Sequence, residues 1–352
     1  MTHTPRVPWA SGPAGPRSLV HGACGRCGRV RDVVARAARC GTIVVMPDRG
    51  RPARRRAEQL GELVNGRPEH VADAVPELAA LLAALLASGG DDATTREVVV
   101  ALGHAWDDRA VQVLLAADLT AHPGRGVRLA LAQALGGGLP AAEIRAGAVE
   151  QLLRLSADPA ADVRDWACFG LGVLYADGAA VREALAARLD DPDGDTRDEA
   201  LVALGRTGDR RALTRAGRVL ADPDERGVTL LQLQAAVELA APELLPVLGA
   251  ITQEWSGDDD EHTARLDRAL RRSTPQAAAR AAALERRLVD AVNERLAGRA
   301  QAVHLAGRYP RTTPHFRTEH EDAGWWRRLW EDDDPSSLDL PLDVDTWIVN
   351  AP

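Results

Sequence analysis

Lysine is absent from all 352 residues, so each of the 43 basic side chains is Arg. That excludes a P-loop lysine and Schiff-base chemistry, and it fits a GC-rich coding sequence better than a mechanism. Aromatic residues are scarce, at 3% of the chain, so any place where they gather stands out. The longest apolar run, LAALLAALLAS, is shorter than the ~20 residues a membrane-spanning helix needs. No secretory signal opens the chain either, and a soluble, cytoplasmic protein is expected. Catalytic signatures are missing too: neither GxSxG, nor the Rossmann glycine fingerprint, nor HExxH occurs. Cysteine is nearly absent, with four in all. Cys24 and Cys27 have knuckle spacing, with Cys40 and His21 nearby, but a tetrahedral zinc site usually draws its four ligands from two such knuckles and the second is missing. Cys168 falls in a helical pattern and reads as a small core residue. No metal, no cofactor and no enzymatic activity is expected.

Charge is unevenly spread. Residues 1–56 hold 12 Arg against Asp32 and Asp48, which leaves 31 Arg against 49 acids in the rest. An acidic body repels a phosphate backbone, so nucleic acid is an unfavoured partner. Residues 1–50, rich in Arg, Pro and Gly, are expected to be either a disordered basic arm or an over-extended start ahead of a natural beginning near Met46.

What the chain does have is a repeat. Leu-Gly recurs at Leu60-Gly61, Leu102-Gly103, Leu135-Gly136, Leu171-Gly172 and Leu204-Gly205. An Arg stands seven residues before the Leu at Arg128, Arg164 and Arg197, and one position off that register at Arg96. A second apolar stretch lies between successive marks, so each unit reads as two short helices, with Asp, Pro and Gly clusters as helix starts and turns. A further unit is expected around residues 226–251, where Thr229 takes the place of the Arg.

The pattern Asp-Pro-x-x-x-[Val/Thr]-Arg-x-x-Ala-x-x-x-Leu-Gly resembles the HEAT repeat family, in the short form known from phycobilisome-lyase-like HEAT proteins, over residues 51–254. The resemblance implies an all-α fold, a right-handed α-α superhelix in which the VRxxAxxxLG helix is the second of each pair and faces the concave side. It also implies a ladder between turn aspartates and arginines: Asp158 or Asp162 with Arg164, and Asp193 or Asp195 with Arg197. Residues 255–306 are expected to form capping helices over the open end of the stack, and 307–352 an irregular tail rich in Trp, Pro and Asp.

Function must then lie at exposed positions. Five residues before the Leu the units carry Glu97, Ala130, Trp166 and Glu199; two before it they carry Val100, Gln133, Phe169 and Val202. Trp166 and Phe169 share one side of a helix among Asp165, Asp198 and Glu199, a setting that suits an Arg-rich or amphipathic protein segment. The other reading of Trp166 is that it packs between repeats. The favoured function is a non-enzymatic scaffold binding a protein or peptide, a basic one included, on a concave face made of Glu97, Gln133, Asp165, Trp166, Phe169, Asp198 and Glu199. The alternative is a nucleic-acid-associated protein resembling HEAT-like alkylpurine DNA glycosylases, which use a concave Trp and Asp. A likeness to deoxyhypusine hydroxylases fails, because their several His-Glu dipeptides are reduced here to His320-Glu321. In the tail, Trp325, Trp326 and Trp330 would share an apolar stripe on a helix, which either docks on the chain's own repeats or enters a partner's groove.

Overall fold

The computed structural model describes residues 51–65, 67–137, 142–174, 176–224, 227–254, 260–277, 279, 303–306 and 309–312. The basic arm, Cys24, Cys27, Cys40 and the tail tryptophans Trp325, Trp326 and Trp330 lie outside the described residues. The chain divides into two compact units between Ala105 and Trp106. The division falls in a turn where Trp106 adopts the left-handed backbone region at φ 48.

Unit 1 contains α1 (Arg51–Val64), α2 (Pro68–Ser88) and α3 (Asp92–His104). Asp91 caps α3 by accepting the Thr94 amide at 2.9 Å, satisfying one of the donors that a helix start leaves open. The 21 residues of α2 are, by length and composition alone, long and apolar enough to cross a membrane. The run read in the sequence as too short is thus part of a longer helix. Its Val71, Ala74, Val75, Leu78, Leu82 and Leu85 are buried at helical spacing, and it packs on α1 and α3.

Unit 2 contains α4 (Asp108–Ala117), α5 (Arg125–Gly136), α6 (Ala142–Leu155), α7 (Ala161–Val173), α8 (Ala179–Ala186), α9 (Gly194–Thr207), α10 (Arg210–Ala221), α11 (Leu230–Leu239), α12 (Leu245–Glu254) and α13 (Asp260–Arg272). Two layers result. The odd-numbered helices α5, α7, α9, α11 and α13 pack extensively one on the next; the even-numbered ones form a second layer with sparser mutual contact. Leu135, Leu171 and Leu204 of the Leu-Gly pairs are buried between the layers.

The Gly of each pair has a steric reason. A Cβ on Gly172 would lie 3.2 Å from the Ala203 Cβ, and one on Gly205 would lie 3.3 Å from the Ala235 carbonyl oxygen. In unit 1 the same relation would put a Cβ on Gly61 3.2 Å from the Ala101 Cβ. The rule is constant: the residue after Leu in one unit meets the small residue before the corresponding position in the next. Where both are glycine, at Gly136 and Gly170, a Cβ on Gly136 would sit 2.7 Å from the Gly170 Cα. These close backbone approaches are why the stack admits only Gly or Ala there.

The chain is all-α over its repeats, and α13 supplies the expected helix beyond residue 255. One boundary differs. Val303–Ala306, expected to end the capping helices, is strand β1 and pairs antiparallel with β2 (Tyr309–Thr312), in the register Val303↔Thr312 to Ala306↔Tyr309. The β-branched Val303 and Thr312 and the aromatic Tyr309 favour a short hairpin over a helical turn there.

Candidate functional site: the Leu-Gly layer of unit 2

The turns that lead into the Leu-Gly helices are held by a ladder of arginines. Arg164 donates through Nε to Asp191 Oδ2 at 2.9 Å and through Nη2 to Asp191 Oδ1 at 2.6 Å. Its Nη1 reaches the main-chain carbonyls of Asp158 at 2.9 Å and Pro159 at 3.1 Å. Arg128 repeats this one unit earlier, with Asp158 (2.6 and 3.0 Å) and the carbonyls of His122 and Pro123. Arg197 repeats it one unit later, with Asp224 at 3.1 Å and the carbonyls of Asp191 and Pro192. Each Arg thus ties the carbonyls of its own turn to the carboxylate of the next.

This corrects the expected pairing. Arg164 uses the carboxylate of Asp191, and Arg197 that of Asp224; neither Asp162 nor Asp195 is the ladder partner. Asp162 instead accepts Arg125 at 2.9 and 2.6 Å, while Asp193 caps α9 through the Thr196 amide at 2.8 Å. The physical reason is reach: a guanidinium planted on the first turn of a helix extends forward to the neighbouring turn, where it finds a planar, bidentate acceptor.

Burial and ion pairing set the ladder's electrostatics. Burial alone would push the Asp191 carboxyl up, but hydrogen bonds from Arg164 and the Asp193 amide, with the charges of Arg164 and Arg188, hold it below the usual carboxylate range. The Arg211 hydrogen bond, outweighing burial, does the same for Asp209. A carboxyl whose folded pKa is depressed adds stability that is present above its unfolded pKa and lost as pH falls through the folded one. Melting temperature is therefore expected to fall steeply as pH drops below about 4. Asp191→Asn should flatten that acid limb; an unchanged limb in the variant would show that the ladder does not carry it.

Of the positions five and two before Leu in unit 2, those of Trp166, Phe169 and Gln133 are half-buried, while Ala130, Glu199 and Val202 are buried. The Trp166 and Phe169 rings meet edge to face, with centroids 5.3 Å apart and planes at 76°. On α9, two residues after Leu204, Arg206 donates to Glu238 of α11 at 3.2 Å, with Gln234 donating to the same carboxylate at 2.9 Å. Trp166 is thus neither a bare surface side chain nor a core one. A second aromatic went unnoticed in the sequence: Trp106 is 50% exposed, and its ring lies 3.9 Å from where a Gly137 Cβ would stand. Its place in a turn before α4, outside the Leu-Gly register, gave no periodic signal.

The acids expected beside the aromatics behave differently. Asp165, Asp198 and Glu199 are 4%, 3% and 5% exposed, so they belong to the joints between helices and not to an open face. Asp198 accepts Thr229 Oγ1 at 2.9 Å and Gln232 Nε2 at 3.2 Å, which anchors the capping box that begins α11. Glu97 belongs to unit 1, where Arg96 lies 2.5 Å away and Arg54 4.0 Å. An exposed Trp-plus-Asp arrangement of glycosylase type is therefore not formed by Trp166 and Asp165. Burial, together with the charges of Glu199 and Asp165, pushes the Cys168 thiol up, which leaves it a protonated core residue. Among the described residues no group of three or more His, Cys, Asp or Glu could hold a metal ion.

Two layers of paired helices, repeating every 33 to 36 residues with a constant contact rule, define unit 2 as an α-helical repeat protein. Residues 148–236 match the family model of HEAT repeats. Over 123 residues it is 32% identical to Protein YibA of Escherichia coli (strain K12), a match that spans 35% of this chain and 42% of that protein. The chain thus spans less than half the length of the curated relatives it matches. The X-ray structure of E. coli YibA covers 70% of this chain and 99% of its own, at 17% identity and a TM-score of 0.36. A designed armadillo repeat protein in complex with the peptide (KR)4 covers 70% and 100%, at 17% identity and a TM-score of 0.37.

Proposed function

We propose that the protein is a non-enzymatic, cytoplasmic scaffold that binds a basic protein or peptide segment on the concave side of unit 2, with Trp166 and Phe169 as the anchor. The observation that carries this reading is the edge-to-face pair itself, partly open on one helix of a chain in which aromatics are rare. In a curved two-layer stack, the layer whose helices approach more closely lies inside the curve, and here that is the Leu-Gly layer. The charge around the pair sets the sign of the partner: residues 158–199 carry 4 Arg against 11 Asp and Glu. An indole face in such a field favours a guanidinium or ammonium.

The test is titration of the full chain with an Arg-rich peptide and with an acidic peptide of equal length. Wild type is expected to bind the first and not the second. Trp166→Ala should weaken binding by about 30-fold, the loss typical of an aromatic hot spot, with helicity by circular dichroism retained. Equal affinity of both proteins for the basic peptide would sink the reading.

A further inference from the structure

Trp106 opens unit 2 half exposed, in a chain nearly devoid of aromatics, and its backbone is held against its own preference. At φ 48 it lies in the left-handed region, which residues with a Cβ rarely adopt and glycine adopts freely. The turn does not call for an indole. Helix α4 takes its start from the next residue, Asp107, whose carboxylate accepts the Arg109 amide at 2.8 Å. A large aromatic kept open to solvent at a position that suits glycine is not explained by packing.

Its ring has a definite place. Positions five before, two before and two after the Leu of a Leu-Gly pair fall within about 60° of one another around a helix. On α7 these are Trp166, Phe169 and Val173, all half-buried. On α5 the last two are Gln133 and Gly137, also half-buried. A side chain at 137 would leave α5 on the side where Val173 leaves α7, and its Cβ would stand 3.9 Å from Trp106 Cη2. The tip of the indole therefore lies where α5 itself presents no side chain, on the face that carries Trp166 and Phe169. Gly136 abuts Gly170, so Gly137 and Phe169 stand at nearly the same level of α5 and α7. With packed helices about 8–10 Å apart, the Trp106 ring and the Trp166–Phe169 pair are separated by roughly 10–15 Å along that face.

The charge beside Trp106 has the same sign as that around the pair. Residues 107–118 hold Asp107, Asp108 and Asp118 against Arg109, and Arg109 is held by Asp107 at 2.8 and 3.0 Å. In the other direction the corresponding position of α9 is a cation, Arg206, engaged by Glu238. A basic segment anchored at Trp166 and Phe169 is thus drawn toward α5 and Trp106, away from Arg206.

We propose that Trp106 is a second anchor on this face, and that the partner is an extended segment with two cationic side chains four residues apart, one on Trp106 and one on the Trp166–Phe169 pair. The proposal rests on the reading of that pair as an anchor and adds the spacing. In an extended chain residues i and i+4 point to the same side about 13 Å apart, whereas adjacent residues point to opposite sides.

The experiment titrates the full chain with two uncharged-background peptides of equal length and charge, one with two Arg four residues apart and one with two adjacent Arg. Wild type should bind the spaced peptide about 10-fold more tightly. Trp106→Gly should abolish that preference by weakening the spaced peptide alone, with melting temperature and helicity kept, because glycine suits φ 48. Trp106→Asn, the other residue that tolerates the left-handed region, repeats the test should the glycine variant fail to fold. Wild type binding the two peptides equally, or a Trp106→Gly protein that keeps the preference, would overturn the second anchor alone, provided Trp166→Ala still weakens both. Binding of neither peptide by wild type would overturn it together with the reading on which it rests. A lower melting temperature with the preference intact would return Trp106 to a packing role.

Discussion

Replacing Arg164 by Ala is expected to destabilise the protein by about 3–5 kcal/mol, the usual cost of removing one partner from a buried ion pair. The side chains of Arg164 and Asp191 are 9% and 1% exposed. Their pairing is bidentate, and the same guanidinium satisfies two carbonyls of the preceding turn. Deleting it strands a buried carboxylate and frees the turn between α6 and α7. A fall in melting temperature of about 10 °C is expected. Arg125→Ala is the control. Its bond to Asp162 is equally short, but the pair is open to solvent, so the change should cost under about 1 kcal/mol. Equal losses in the two variants would mean that the ladder is ordinary surface charge.

Gly136→Leu is the second large effect. A Cβ there would lie 2.7 Å from the Gly170 Cα, which is backbone and cannot rotate aside, so α5 and α7 must separate. Overpacking of this kind costs about 1–3 kcal/mol, and a branched side chain belongs at or beyond the upper end. Gly249→Ala makes the opposite test: nothing lies within 4 Å of its Cβ position in α12, so the helix should gain up to about 1 kcal/mol. Urea unfolding of both variants measures the contrast, and a neutral Gly136→Leu would show that the joint between α5 and α7 is not packed as described.

The repeat was legible in the sequence because it is a local signal. Leu-Gly spacing located the helices of one layer, and Asp, Pro and Gly located their starts, since capping and close backbone approach constrain residue type directly. The ladder was only half legible. An Arg seven residues before Leu was visible, but its partner was sought in the same turn, whereas it lies 27 or 30 residues ahead, a contact that only stacking creates. The reading of an exposed stripe meets half-buried side chains at Gln133, Trp166 and Phe169. It failed for Asp165, Asp198 and Glu199, because charge on a helix was equated with exposure when neighbouring helices in fact bury it. Trp106 and the hairpin at Val303–Thr312 lie outside any period and had no signal of that kind.

The most direct test of the concave-side account is to map where a basic peptide lands, by amide and indole chemical-shift changes in the full chain titrated with an Arg-rich peptide. The largest changes should fall on the Trp166 indole, then on Phe169, Gln133 and Val173, with α6, α8 and α10 unmoved. Changes concentrated on those outer helices, with the Trp166 indole still, would contradict the account.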